Sequence, residues 1–226
     1  MIVSDPPEFL HPLTHFRRNG GHALPNYQII DGSAVPEPYR TLLVHDGDMT
    51  SRLESFHGGP IALEVLHREE MGDAYRREVL LRVAPTDLAV EYGAIEIQLG
   101  AFDPQMRAKI LEAHLPLGGL LNRFDVNYRS QPRGFIKFVP DRKMDALFGI
   151  SGAHALYGRA NVLLGENDLE LARIVEVRHP ELIARDRVSQ ITQRDEAPLH
   201  DSVQEFLRHF PAGHSFDHAV RQEPVR

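Results

Sequence analysis

Residues 60–99, PIALEVLHREEMGDAYRREVLLRVAPTDLAVEYGAIEIQL, contain three runs in which apolar and polar residues alternate. Alternation puts every second side chain on one face of the chain, which is typical of β-strands. We therefore predict strands over residues 60–70, 75–83 and 88–99. The turn-forming residues MGDA separate the first two runs, so these predict a hairpin.

Later segments continue the same architecture. RGFIKFVP (133–140), ALYGRANVLLG (155–165) and LELARIVEVRHP (169–180) predict a fourth, fifth and sixth strand, the last two joined by the turn GENDLE. A helix is predicted after FDP, because Asp103 suits the cap position and Pro104 the first turn. The expected fold class is α+β, with helices packed on a six-stranded, mostly antiparallel sheet.

The two ends of the chain differ from this central part. Residues 1–38 are rich in proline and glycine and predict a lead-in with short helices. Residues 39–180 form the predicted sheet domain. Residues 181–226 are rich in Arg, Asp, Gln and His, and we interpret them as a polar tail that is partly helical or disordered.

Composition excludes several classes of function. The chain has 226 residues, a formal net charge of −7 and no cysteine, which excludes disulfide scaffolds, thiolate metal sites and a cysteine nucleophile. The acidic balance argues against nucleic-acid binding through a general basic surface. Neither a membrane-spanning apolar run nor a signal-peptide pattern is found. We expect a cytoplasmic monomer or homodimer whose partner is a small molecule.

Arg77 is the first candidate for a functional residue. It falls on the same predicted strand face as Val79, Leu81 and Val83. A buried guanidinium is costly without acceptors, because it stays charged. Two interpretations remain open: an edge position at which the side chain extends past its neighbours or pairs with a structural carboxylate, and a residue that binds an anionic ligand.

Glu176 and Arg159 are the next candidates. Glu176 lies between two valines, where a carboxyl group is either a general acid whose pKa is raised by desolvation or the solvent-facing residue of a half-buried strand. Arg159 follows Gly158, and a glycine in a strand lets another backbone or a ligand approach closely. The alternative for Arg159 is an exposed structural arginine.

Metal and nucleotide chemistry receive no support. His214 and His218 have the spacing of two ligands on a helix, but Gly213 and Pro211 lie beside them and no HExxH motif is present. The sequence has no P-loop, no dinucleotide-binding fingerprint and no GxSxG elbow. We predict no metal site.

The run VHDGDMTSRLE (44–54) predicts a capped amphipathic helix. Asp48 is suited to cap it, and Met49, Leu53 and Phe56 recur at helical spacing. The longer segment LLVHDGDMTSRLE resembles the start of the chorismate–pyruvate lyases, the family that makes 4-hydroxybenzoate. YRREVLLR, LPLGGLL, YGRANVLL and VEVRHP resemble four further motifs of that family, in the same order, over residues 39–180.

The resemblance implies a buried site that needs no cofactor. By resemblance, Arg77 holds the substrate and product carboxylates, and Glu176 faces the product hydroxyl or the leaving enolpyruvyl group. Met49 would line the pocket under mobile flaps, and Thr50, Gly118 and Arg159 belong to the same motifs and are predicted to bind the substrate. The next position departs from the family, which usually carries an arginine where this chain has Gly119.

The expected function is therefore elimination of pyruvate from chorismate to give a hydroxybenzoate, most simply 4-hydroxybenzoate. Two alternatives remain: a non-catalytic protein that binds an aromatic carboxylic acid, and an enzyme of this fold that acts on another acidic substrate. The presence of both Arg77 and Glu176 favours an enzyme, because binding a carboxylate needs only the arginine. Ligand-sensing domains of some repressors resemble the same fold, but the acidic chain with its Pro- and Gly-rich start disfavours a repressor.

Overall fold

Seven β-strands form one sheet in the computed structural model, which describes residues 5–150 and 155–179. Their order across the sheet is β1-β5-β6-β7-β4-β3-β2, and each neighbouring pair is antiparallel. The strands are β1 (Tyr27–Ile30), β2 (Ile61–Met71), β3 (Ala74–Val83), β4 (Leu88–Gln98), β5 (Arg129–Phe138), β6 (Leu156–Leu164) and β7 (Glu170–Arg178).

The predicted α+β class and the six predicted strands are confirmed. The hairpin of β2 and β3 turns at Gly72, whose φ of 61° is readily available to glycine. The predicted number of strands was one too low, because β1 lies in the segment predicted as a lead-in. β1 has only four residues and pairs with β5, more than a hundred positions later, so no local pattern indicates it.

Six helices accompany the sheet in the described part of the chain. Asp48, Asp103 and Asp141 each cap one of them by accepting hydrogen bonds from first-turn backbone amides. The caps predicted at Asp48 and Asp103 are thus confirmed. The helices are α1 (His11–Asn19), α2 (Tyr39–Leu43), α3 (Met49–His57), α4 (Pro104–Glu112), α5 (Leu117–Arg123) and α6 (Arg142–Phe148).

The helices cover the two faces of the sheet differently. On the first face, α1 and α6 pack on one continuous apolar cluster that includes Leu80, Tyr92 and Val175. On the second face there are two separate clusters. α2 and α3 pack over one of them, around Leu81, and α4 and α5 over the other, around Ile95. This division leaves the middle of the second face available for a site.

The predicted domain boundaries stay predictions. Residues before 39 contribute α1 and β1 to the same sheet architecture, and residues 181–226, including His214 and His218, lie outside the described residues. Within the described ranges, no helix is long and apolar enough to cross a membrane.

Gly158 is required by the packing of β6 against β7. A Cβ atom added at Gly158 would overlap the backbone oxygen of Glu176 on the neighbouring strand. The sequence left open whether backbone or ligand approaches this glycine, and the structure assigns the approach to backbone. The glycine therefore fixes the spacing of the two strands next to Arg159, which pairs in register with Glu176.

We expect Gly158→Ala to lower the free energy of unfolding by about 2 kcal/mol, since the methyl group forces the two strands apart. Urea denaturation of both proteins measures the difference. Gly119→Ala is the matched control, because a Cβ there meets nothing within 4 Å and alanine favours a helix. Equal stability of wild type and Gly158→Ala would contradict this account of the strand spacing.

Candidate ligand-binding site

A cavity of about 70 Å³ lies on the second face of the sheet, between the two apolar clusters. Its floor consists mainly of residues from β3, β4, β6 and β7, with Leu63 of β2 and Ser130 of β5. Its roof consists of residues 47–50, where α3 begins, and residues 116–118, where α5 begins. The site thus depends on a sheet face below and on two helix starts above.

The six residues predicted from the sequence meet at this cavity. Arg77, Arg159 and Glu176 lie in the floor. Met49, Thr50 and Gly118 lie in the roof, on segments some 70 positions apart in the chain. The placement does not by itself test the roles predicted for them, but it makes them parts of one site.

Arg77 is buried without an anionic partner in the described part of the chain. Its side chain is 1% exposed, and its Nη2 donates a hydrogen bond of 3.3 Å to the backbone oxygen of Leu115. Nε and Nη1 have no hydrogen-bond partner. Burial lowers the pKa of Arg77 to about 10, against an opposing effect of the Tyr75 phenol. Arg77 is not on an edge strand, and no carboxylate among residues 5–150 and 155–179 forms an ion pair with it.

Arg159 and Glu176 form a buried ion pair across β6 and β7. Nε of Arg159 donates to Oε2 of Glu176 at 2.8 Å. Nη1 of Arg159 also donates to the backbone oxygens of Leu43 and His45, at 3.2 and 2.9 Å. Glu176 is 4% exposed, which excludes the solvent-facing alternative. Arg159 therefore holds the glutamate in place and ties the floor to the segment that leads into α3.

A second buried ion pair, missed from the sequence, lies beside the first. Nη1 of Arg178 donates to Oε2 of Glu91, and Nη2 lies 3.7 Å from Oε2 of Glu176. Arg178 is fully buried and Glu91 is 5% exposed at the cavity. The alternation that singled out Arg77 also places Glu91 on the face of Gly93 and Ile95, so the signal was present in β4.

Burial raises the pKa of Glu91 to about 7. The nearby Glu176 carboxylate acts in the same direction, whereas Arg178 and Arg159 act against it. The pKa values of two histidines close to these arginines shift in the opposite direction. Burial first, and then the arginine charges, lower the pKa values of His45 and His57 to about 4. The charge of Glu91 therefore changes with pH near neutrality.

Asp48 connects the two halves of the roof. It accepts hydrogen bonds from the backbone amides of Thr50 and Ser51 at the start of α3, and one of 3.2 Å from Nδ2 of Asn122 in α5. Its carboxylate lies so close to Gly118 that any side chain there would collide with it. Burial and the Asp48 carboxylate together raise the pKa of Tyr128 to about 12.

The remaining expectations concern metals and Gly119. No group of three or more His, Asp or Glu suited to hold a metal ion occurs among residues 5–150 and 155–179. Gly119 does not line the cavity, and a Cβ there would meet nothing within 4 Å. Packing therefore does not exclude a larger residue at this position.

Comparisons with known proteins complete the description. Neither known sequence families nor curated proteins yield a match. Among solved structures, PhnF from Mycobacterium smegmatis is similar at 12% identity and a TM-score of 0.48, over 61% of this chain and 66% of that one. Its effector domain gives 11% and 0.47, over 60% and 90%. The ligand-binding domain of a GntR-family regulator from Bordetella bronchiseptica gives 13% and 0.41, over 52% and 85%. Values this low assign no function to the chain.

We expect Glu91→Gln to change how stability depends on pH. Because the folded-state pKa of Glu91 lies above its usual value of 4.5, the folded protein binds more protons between these values, so wild-type stability falls as pH rises from 4.5 through about 7. Glutamine does not titrate, so the variant gains stability relative to wild type over that window, on the order of 3 kcal/mol. Urea denaturation at pH 5 and pH 8 measures the gain.

Glu96→Gln is the matched control for this measurement. Glu96 lies on the same strand, and although burial opposes it, hydrogen bonds from Arg76 and His11 lower its pKa. The ionised Glu96 side chain stabilises the folded protein, and this stabilisation is lost as pH falls. The Glu96→Gln variant therefore loses stability relative to wild type as pH rises. The same pH trend in both variants would contradict the assignment for Glu91.

Proposed function

We propose that the cavity binds a small aromatic or cyclic carboxylic acid, and that the bound carboxylate is held by Arg77. The observation that carries this proposal is the buried Arg77 at the cavity, two of whose guanidinium nitrogens, Nε and Nη1, have no hydrogen-bond partner. A carboxylate accepts hydrogen bonds from guanidinium N–H groups and supplies the missing negative charge. A neutral small molecule would not offset the cost of burying this cation.

The apolar part of the lining supports a ring-shaped ligand. Aliphatic side chains line the cavity together with the charged groups, as is usual in pockets where a few polar groups orient an otherwise apolar ligand. The apolar side chains at the cavity are those of Met49, Leu63, Val79, Leu81, Ala94, Ile95, Pro116, Leu117, Leu163 and Ile174.

The size of the cavity implies that the roof moves. Its volume of about 70 Å³ is below the roughly 300 Å³ at which typical ligand pockets begin. A ligand with one six-membered ring therefore enters when residues 47–50 separate from residues 116–118. Closure afterwards excludes water and strengthens each electrostatic contact in the site.

For the reaction we propose elimination of pyruvate from chorismate to give 4-hydroxybenzoate. The hydrogen on C4 leaves as a proton, the ring becomes aromatic, and the C3–O bond breaks with its electron pair going to the enolate of pyruvate. A proton added to the methylene carbon completes pyruvate, so atoms and charge balance without a co-reactant. Aromatisation supplies the driving force, and the protein has to bind, orient and desolvate the substrate.

In this proposal Glu176 carries the proton and Arg159 positions Glu176. The carboxylate of Glu176, which accepts a hydrogen bond from Arg159, takes a proton from C4 and returns it to the methylene carbon. An internal transfer within the substrate would use the same pocket and leave Glu176 a purely electrostatic role.

A second candidate is binding without catalysis. It is favoured by the ion pairs of Glu176, because Oε2 of this carboxylate is already engaged by Arg159 and lies close to Arg178. The first assay separates the candidates. We expect purified protein mixed with chorismate to release pyruvate and 4-hydroxybenzoate in equal amounts. Chromatography measures both products, with a no-enzyme control for comparison. Tight binding of a hydroxybenzoate without turnover would replace the lyase with the binder.

Arg77→Met should weaken binding of 4-hydroxybenzoate about 100-fold, because charge-assisted hydrogen bonds worth roughly 3 kcal/mol are lost. Calorimetric titration measures the change in Kd. Arg76→Met is the matched control, since Arg76 pairs with Glu96 away from the cavity. An unchanged Kd in Arg77→Met would remove the basis of the proposal.

Glu176→Gln should lower kcat by about 100-fold or more while changing the Kd of the product much less. Glutamine has a shape similar to that of glutamate but cannot carry the proton. Steady-state kinetics with chorismate and a binding titration with 4-hydroxybenzoate give the two values. Loss of binding in proportion to kcat would instead make Glu176 a binding residue.

A further inference from the structure

Five charged side chains are buried together in and next to the cavity floor. They are three arginines and two glutamates, each at most 5% exposed: Arg77, Arg159, Arg178, Glu91 and Glu176. With both glutamates ionised, the group carries one positive charge in excess. Asp48 also borders the cavity, but it is partly exposed in the roof, where water screens it and backbone amides and Asn122 engage it.

The excess charge resides on Arg77. Arg159 pairs with Glu176 and Arg178 pairs with Glu91, whereas Arg77 has no carboxylate partner among the described residues. Buried charges are stable in proteins when they are paired. A ligand with a single carboxylate therefore leaves the closed site neutral with both glutamates ionised.

A ligand with two carboxylates creates a different situation. It leaves one negative charge in excess in a closed site, and one proton restores neutrality. Glu91 is the group suited to take it, because Glu176 stands near two arginines and Glu91 contacts one. The pKa of about 7 for Glu91 is consistent with this choice.

The other groups around Glu91 do not compete for the proton. Arg178 and Glu176 face it from β7 and Arg159 from β6. From α3, His57 lies near Arg178, and its pKa of about 4 keeps it neutral above pH 6. His179 also lies near His57, and its Nε2 donates a hydrogen bond to the backbone oxygen of Phe148.

We propose that Glu91 determines which ligand charge the cavity accepts: a monocarboxylate binds with Glu91 ionised, and a dicarboxylate binds with uptake of one proton at Glu91. This inference rests on the proposed binding of carboxylic acids. It extends that function, because it assigns ligand specificity to the Glu91–Arg178 pair, to which the proposed elimination gives no proton-transfer step.

The test compares benzoate with isophthalate, which have the same ring and differ by one carboxylate. Calorimetric titrations at pH 8.5 in Hepes and in Tris, whose ionisation heats differ, count the protons taken up. We expect about one proton per isophthalate and none per benzoate, and the Kd of isophthalate should rise about tenfold per pH unit between pH 7.5 and 9. The Kd of benzoate should stay constant over that range.

Glu91→Gln gives the second arm. Since glutamine is permanently neutral, the variant should bind isophthalate without proton uptake and about 30-fold more tightly than wild type at pH 8.5. Glu96→Gln should retain the wild-type pattern, because Glu96 pairs with Arg76 and does not line the cavity.

The outcomes separate the two proposals. If benzoate binds and isophthalate binds without proton uptake, or does not bind even at pH 6, the role of Glu91 is overturned and the binding function stands. If neither probe binds to wild type, the proposed function is overturned, and the role of Glu91 with it. The wild-type proton count decides the matter even if a Glu91 variant fails to fold.

Discussion

The register between neighbouring strands on the second face of the sheet is the constraint on which the site depends. It sets Glu176 opposite Arg159 on one side and opposite Gly93 on the other, and it sets Glu91 opposite Arg178. A slip by one residue would turn each of these side chains to the other face, into the apolar cluster under α1 and α6. Burying five charged groups is tolerable because this register pairs four of them.

Local patterns were enough to predict most of the fold and part of the site. Alternation in β3 identified Arg77, and the turn before α3 identified the cap at Asp48. Both depend on periodicities and hydrogen bonds within a few residues. The order of motifs in the resemblance also named six residues that the structure brings to one cavity.

Features that depend on distant pairing were not predictable. The short strand β1 forms by pairing with β5, which is distant in the chain. Glu91 forms its ion pair with Arg178, 87 positions later. The alternation in β4 did place Glu91 on an inward face, but no pattern within the strand shows which charge it meets. From the sequence, Arg159 could be either a ligand contact or a structural residue. In the structure three oxygen atoms accept hydrogen bonds from it, so its donors are largely engaged within the protein.

Asp48 couples the opening of the roof to the fraying of α3. The same carboxylate accepts the first-turn amides of α3 and the side-chain amide of Asn122 in α5. A displacement of Asp48 that widens the roof also removes the acceptor for those first-turn amides, so access to the cavity and fraying of the α3 end share one free-energy cost. Ligand entry and hydrogen exchange at the Thr50 and Ser51 amides should therefore speed up and slow down together, and the residue that begins a helix also sets how often the cavity opens.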